Sequence, residues 1–125
     1  MLVAPKDKPK KCDRSCVVYG IQCNDCSSYY VGETERQLRK RLQEHKRKTS
    51  PVGAHMIQEG HKFTDDNVDV LDIDSRWLQR GIKEAYNIVA KEPDLNQDQG
   101  RHHLPSIYKP LIKSRDRDSL RESRD

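Results

Sequence analysis

The stretch CVVYGIQCNDCSSYYVGETERQLRKRLQEH, residues 16–45, decides how the chain is read. It contains two short runs rich in Val, Ile and Tyr, CVVYGIQC and SSYYVG, with the composition of β-strands. Only Asn24 and Asp25 separate Cys23 from Cys26, so the runs are expected to pair through a tight hairpin turn. Opposed residues then sum to 49, which sets Cys23 against Cys26 and Tyr19 against Tyr30. Opposed residues share a sheet face, so this register brings two thiols together and two phenols together. Tyr29, one position from Tyr30, points to the other face.

Beyond the second run the sequence turns basic. From Arg36 to Lys48 there are seven Lys or Arg against one Glu, while five aspartates gather at residues 65–74. Thr34 is a plausible N-cap for a helix reaching about Lys48, with Leu38 and Leu42 as a narrow apolar stripe and Arg41 and His45 beside it on one face. Arg36, Arg39, Lys40, Lys46 and Arg47 are the candidate phosphate contacts of this helix. A charge run taken alone is more simply a solvated helix face.

The 125 residues suit one domain with tails. Only 33% of them are apolar and seven are Phe, Tyr or Trp, so the core is small and calls for a staple. Residues 1–14 read as a flexible basic lead-in, 15–112 as the domain and 113–125 as a disordered charged tail. A short helix is expected after Pro51, carrying His55 and ending near Gly60. NVDVLDI alternates as a third strand, with Val68, Val70 and Asp72 on one side. The longest helix is expected from Ser75 to about Lys91, burying Leu78, Ile82, Ala85 and Val89, with Glu84 at the margin of that stripe. The order ββααβα gives an α+β fold, a small three-stranded antiparallel sheet flanked by helices.

Two constellations carry chemistry. Cys23 and Cys26 are followed by His55 and His61, a donor set that suits tetrahedral zinc and would staple the hairpin. Cys12, Cys16, His45 and the pair His102–His103 compete for the same role, and free surface cysteines are the bland alternative. Tyr19, Tyr30, Arg41, His45 and Glu84 form the second set. Each has an ordinary explanation: strand tyrosines, a helix-end histidine, an i,i+4 partner of Arg80. Together they make a coherent phosphodiesterase, with a carboxylate for one divalent ion, an Arg for the phosphorane charge, and a phenol or imidazole for the proton of an attacking water.

These residues resemble the GIY-YIG nucleases: VVY at 17–19, YVG at 30–32, R-x3-H at Arg41 and His45, KEA around Glu84, and Leu95-Asn96. VVYGIQCNDC, YYVGETERQLRKRLQEHKR, AHMIQEGHKF, RGIKEA and LNQDQG are similar, more closely, to the endonuclease domain of Penelope-like retroelements, over about residues 7–112. The resemblance implies that Tyr19 activates the water and Tyr30 assists it. It makes Arg41 the phosphate-binding arginine, with His45 one turn on, Glu84 the ligand of one Mg2+ or Mn2+, and Asn96 a buttress. It also assigns Cys23, Cys26, His55 and His61 to a structural zinc. Val17, Val18 and Val31 depart from the family's motif residues in packing positions, and Cys12 and Cys16 lie outside the pattern.

The implied function is a divalent-metal-dependent DNA endonuclease that nicks or cleaves a phosphodiester and primes reverse transcription, acting with or fused to a reverse transcriptase. The alternative is a catalytically silent zinc-containing nucleic-acid-binding module. A protein–protein adaptor using Trp77 has nothing specific in its favour. No stretch is long and apolar enough to span a membrane. MLVAPKDKPKK is no signal peptide, so an intracellular chain is expected, and the resemblance points to the nucleus.

Overall fold

The structure, a computed structural model, describes residues 10–96. The expected tail at 113–125, the expected domain end at 112 and His102–His103 lie outside the described residues. The elements are β1 (Val17–Gln22), β2 (Tyr29–Thr34), α1 (Leu38–Glu44), α2 (Pro51–Glu59), β3 (Val68–Ile73) and α3 (Trp77–Lys91), with short 3-10 turns at Lys11–Asp13 and Asp65–Asn67. The expected α+β order therefore holds. The sheet is antiparallel in the order β2-β1-β3. No helix among the described residues is long and apolar enough to cross a membrane.

β1 is central because it is apolar on both faces: Val17, Val18, Tyr19 and Ile21 are all fully buried. On one face Val17, Tyr19 and Ile21 pack with Leu38 and Leu42 of α1, Val52 and Met56 of α2, and Phe63. On the other, Val18 and Val31 pack with Ile88 of α3, flanked by Tyr29 and Leu71. Tyr29 thus faces away from Tyr30, as the strand period requires.

The hairpin register differs from expectation. Opposed residues sum to 51, from Val17 opposite Thr34 to Gln22 opposite Tyr29, so Tyr19 faces Gly32 rather than Tyr30. The connection is a six-residue loop, residues 23–28, closed by the Cys23 N–H on the Ser28 carbonyl at 2.9 Å. A two-residue turn would draw its amides into the ladder. Here the Asp25 and Ser28 N–H groups donate instead to the sulfurs of Cys23 and Cys26, each at 3.4 Å. A slip of two residues preserves the side-chain alternation, so Tyr19 and Tyr30 still share a face, as diagonal neighbours.

Other expectations need correction. Thr34 ends β2 and accepts the Arg36 N–H at 3.1 Å instead of capping a helix. Gln37 is the N-cap of α1, whose first amide, Leu38 N–H, is satisfied by the Arg14 carbonyl. The helix stops at Glu44, and His45 is its C-cap, not a mid-helix residue. In β3 a bulge between the partners of Val18 and Tyr19 places Asp72 opposite Val18, so Asp72 leaves the side of Val68 and Val70 and reaches Lys83 of α3 at 3.3 Å.

α3 buries Arg80, Gly81, Glu84, Ala85, Ile88 and Val89, whereas the expected core residues Leu78 and Ile82 are exposed beside Trp77. Arg80 sets this rotation. Its side chain, 2% exposed, pairs with Glu33 of β2 at 2.7 Å and donates to the Asp74 carbonyl at 3.1 Å. An apolar-period reading places a charged residue outside the core, and here a matched carboxylate brings it in. Residues 10–14, part of the expected lead-in, form a turn against α1. There Cys12 packs on the main core and Asp13 pairs with Arg39.

Candidate active site and metal centre

Tyr19, Tyr30 and His45 meet on the α1–α2 face of the sheet. The Tyr19–Tyr30 ring centroids are 6.4 Å apart, Tyr19–His45 5.7 Å and Tyr30–His45 4.8 Å. The Tyr19 hydroxyl and His45 Nε2 share a hydrogen bond of 2.6 Å, and His45 Nδ1 shares one of 2.7 Å with Ser50 Oγ. Two glycines make this geometry possible. A Cβ on Gly32 would lie 2.7 Å from Tyr19 Oη, so the ring crosses β2 where there is no side chain. A Cβ on Gly53 of α2 would lie 1.8 Å from the Arg47 carbonyl oxygen, so residues 45–50 turn directly against that helix.

The electrostatics follow from burial. His45 is 1% exposed, and that burial, seconded by the Arg41 charge, pushes its pKa down to about 4, leaving it neutral near pH 7. Burial raises the Tyr19 phenol well above its ordinary range. The neighbouring Tyr30 and the Glu84 carboxylate raise it too, while Arg41 opposes them. Glu84 is 8% exposed on α3, and its charge acts on the same phenol that His45 touches. Arg41 pairs with Glu44 at 2.8 Å, and Glu44 also holds Arg36 through both oxygens at 2.7 and 2.8 Å. Those two guanidinium partners, Arg36 first, draw Glu44 down to about 2. A cavity of about 290 Å³ opens beside them, lined by Arg41, Glu44, His45, Arg47, Thr49, Ser50 and Pro51.

Asn96 holds the free edge of β2. Its Oδ1 accepts the Val31 N–H at 2.9 Å and its Nδ2 donates to the Val31 carbonyl at 2.8 Å, so the side chain pairs with the strand as a peptide would. Asp94 accepts the Tyr29 N–H at 2.7 Å on the same edge. Of the basic candidates, Lys40, Lys46 and Arg47 are exposed, whereas Arg36 and Arg39 are exposed but engaged with Glu44 and Asp13. Sequence reasoning missed Glu44 and Ser50. Glu44 was visible as an i,i+3 partner of Arg41, but Ser50, just before Pro51, looks like any helix cap.

The second constellation is assembled as well. The donor atoms of Cys23, Cys26, His55 and His61 all lie within 4.8 Å of one another. Cys23 Sγ is 3.4 Å from His61 Nδ1, and Cys26 Sγ is 3.3 Å from His55 Nε2. Bonds of about 2.3 Å to sulfur and about 2.0 Å to nitrogen around a tetrahedral zinc place S and N about 3.5 Å apart, so these four residues could hold a zinc ion. The Ser28 hydroxyl and amide draw the Cys26 thiol down to about 6, toward the thiolate a metal needs, while burial raises Cys23. Cys12 and Cys16 do not join a metal-like group among the described residues; Cys16 Sγ lies 3.7 Å from the Glu35 carbonyl oxygen.

The family model of the GIY-YIG catalytic domain matches residues 15–88, more than half of the chain. The chain belongs to the GIY-YIG family. The matched span takes in Tyr19, Tyr30, Arg41, His45 and Glu84 and all four thiol and imidazole donors, and stops short of Asn96. This GIY-YIG domain therefore has a nuclease framework, with DNA as the substrate class. Comparison with curated proteins found no match, and comparison with solved structures found none.

Proposed function

We propose that the chain is a divalent-metal-dependent DNA endonuclease that nicks or cleaves phosphodiester bonds. The observation that carries this reading is the convergence on one buried phenol: Tyr19 is hydrogen-bonded to a neutral His45, faces Arg41, and lies within the field of Glu84.

Each residue then has a task. Arg41 exchanges Glu44 for a DNA phosphate and neutralises the charge that builds up on it. His45 Nε2 takes the Tyr19 proton in the same step in which the phenol oxygen takes one from an attacking water, so no free phenolate forms in a site whose burial disfavours it, with Tyr30 beside it as a second hydrogen-bonding group. Glu84, a hard oxygen donor, would hold one Mg2+ or Mn2+, which when bound supplies Lewis acidity to a phosphate oxygen. Asn96 keeps the Tyr30-bearing strand in place. Cys23, Cys26, His55 and His61 would hold a structural zinc that ties the hairpin loop to α2. Lys40, Lys46 and Arg47 are placed to meet the DNA backbone, and Arg36 and Arg39 can join when a phosphate displaces Glu44 or Asp13.

The motif series quoted from the sequence extends the proposal to a Penelope-like retroelement, with a reverse transcriptase as partner and the nucleus as the place of action. The deciding experiment incubates supercoiled plasmid with the purified chain and Mg2+ or Mn2+. Conversion to open-circular or linear DNA supports the reading. DNA binding without cleavage under either ion would make the chain a silent binding module.

A further inference from the structure

We propose that Ser50 is a positioning residue that holds His45 in its Nδ1–H tautomer, leaving Nε2 free to accept the Tyr19 proton. The inference rests on the catalytic reading above for its purpose, but its geometry stands without it.

A neutral imidazole has one N–H and one lone pair. His45 has a partner on each nitrogen, Tyr19 Oη at 2.6 Å and Ser50 Oγ at 2.7 Å. One contact must use the N–H and the other the lone pair, so the Ser50 contact and the Tyr19 contact have opposite directions. Burial keeps the ring neutral near pH 7, so a doubly protonated ring does not blur the choice.

The direction follows from where each hydroxyl can place its own proton. Tyr19 is fully buried, and Arg41, which can only donate, bears on its oxygen. If Nε2–H also donated to that oxygen, a fully buried phenol oxygen would receive two donors and its own proton would need a further acceptor, a costly arrangement. Ser50 is only half-buried and lines the 290 Å³ cavity, so its hydroxyl can accept from Nδ1–H and still turn its own proton toward water. The consistent arrangement is Tyr19 O–H to Nε2, and Nδ1–H to Ser50 Oγ.

A second observation shows that the Ser50 hydroxyl is committed to this task. Ser50 occupies the N-cap of α2, where a serine side chain ordinarily accepts an amide of the first turn. Its side chain makes no cap hydrogen bond here and turns to His45 instead. The helix start is supported by Pro51, which has no N–H to satisfy. Losing the hydroxyl should therefore leave α2 intact and release the ring.

The test reads the tautomer directly. Two-bond 1H–15N spectra of the zinc-loaded full chain near pH 7, without DNA, should show His45 protonated on Nδ1. Ser50→Ala should move the ring toward the Nε2–H form, and Ser50→Thr, which retains a hydroxyl, should restore the wild-type pattern. In plasmid nicking, Ser50→Ala should lower kcat by ~10-fold or more with KM unchanged, the behaviour of a misdirected imidazole. An Nε2–H ring in the wild-type chain would overturn the proposal without any variant. So would a Ser50→Ala spectrum identical to wild type. Because the spectrum needs no turnover, a chain that never cuts DNA would refute the nuclease reading and leave this inference to be decided by the tautomer alone.

Discussion

The Tyr19 hydroxyl and His45 Nε2 lie 2.6 Å apart although 26 residues separate them in the chain. β1 contributes the phenol from the centre of the sheet, and the C-cap of α1 delivers the imidazole above it. Both groups are buried, and burial is the first cause of both pKa shifts, down for the imidazole and up for the phenol.

That burial gives stability a pH dependence. An unfolded histidine takes a proton below about pH 6.5, whereas folded His45 resists until about pH 4. Between those values the unfolded chain binds more protons, so the stability present above about pH 6.5 is lost as pH falls toward 4. Other groups of the chain also take up protons as pH falls, so the comparison is with His45→Gln. Denaturant melts at pH 7 and pH 4.5 should show wild type losing on the order of 2 kcal/mol more than the variant. Equal losses would show that His45 is not buried in its neutral form.

Glu84→Gln keeps the shape of a buried side chain and removes its charge. Plasmid nicking is expected to fall by ~100-fold or more, on the scale of losing one electrostatic group at a reacting centre. DNA affinity and the thermal midpoint should change little. Nicking at the wild-type rate would rule Glu84 out as the ligand of a catalytic ion.

One zinc per chain is expected by elemental analysis of protein prepared without chelator. Removing it, or replacing Cys23 with Ser, should lower the thermal midpoint by ~10 °C or more, since a small core relies on the staple and each kcal/mol moves such a domain by several degrees. Cys12→Ser should leave both zinc content and midpoint near wild type, because Cys12 packs at the edge of the core and lies outside the metal-like group.

Lys40 and Lys46 are exposed and make no ion pair among the described residues, so they are open to phosphates. Replacing both with Ala should weaken DNA binding equally for unrelated sequences and flatten the logarithmic salt dependence by about two units, close to one per lost phosphate contact. An unchanged salt slope would place the DNA elsewhere.

Arg80→Met removes one partner of the buried pair with Glu33. Loss of that pairing should cost about 3 kcal/mol in denaturant unfolding, well above the effect of changing an exposed salt bridge. A double change with Glu33→Leu should recover much of that loss.

Much of this protein was legible in the sequence because it depends on local period and spacing. The strand alternation put Tyr19 and Tyr30 on one face and Tyr29 on the other, and a two-residue slip could not change that parity. The Cys-x2-Cys and His-x5-His spacings marked the four residues that gather within 4.8 Å, and Leu38 and Leu42 marked the buried side of α1. Tertiary structure decided the rest, because contacts distant in sequence outweighed local propensity. Loop amides directed at sulfur reset the hairpin register, and a bulge turned Asp72 to the other face. Arg80 entered the core and rotated α3, since Glu33, 47 residues away, was there to meet its charge. Ser50 gave up an ordinary cap for His45, because the Gly53 backbone lets residues 45–50 pack so close that hydroxyl and imidazole meet.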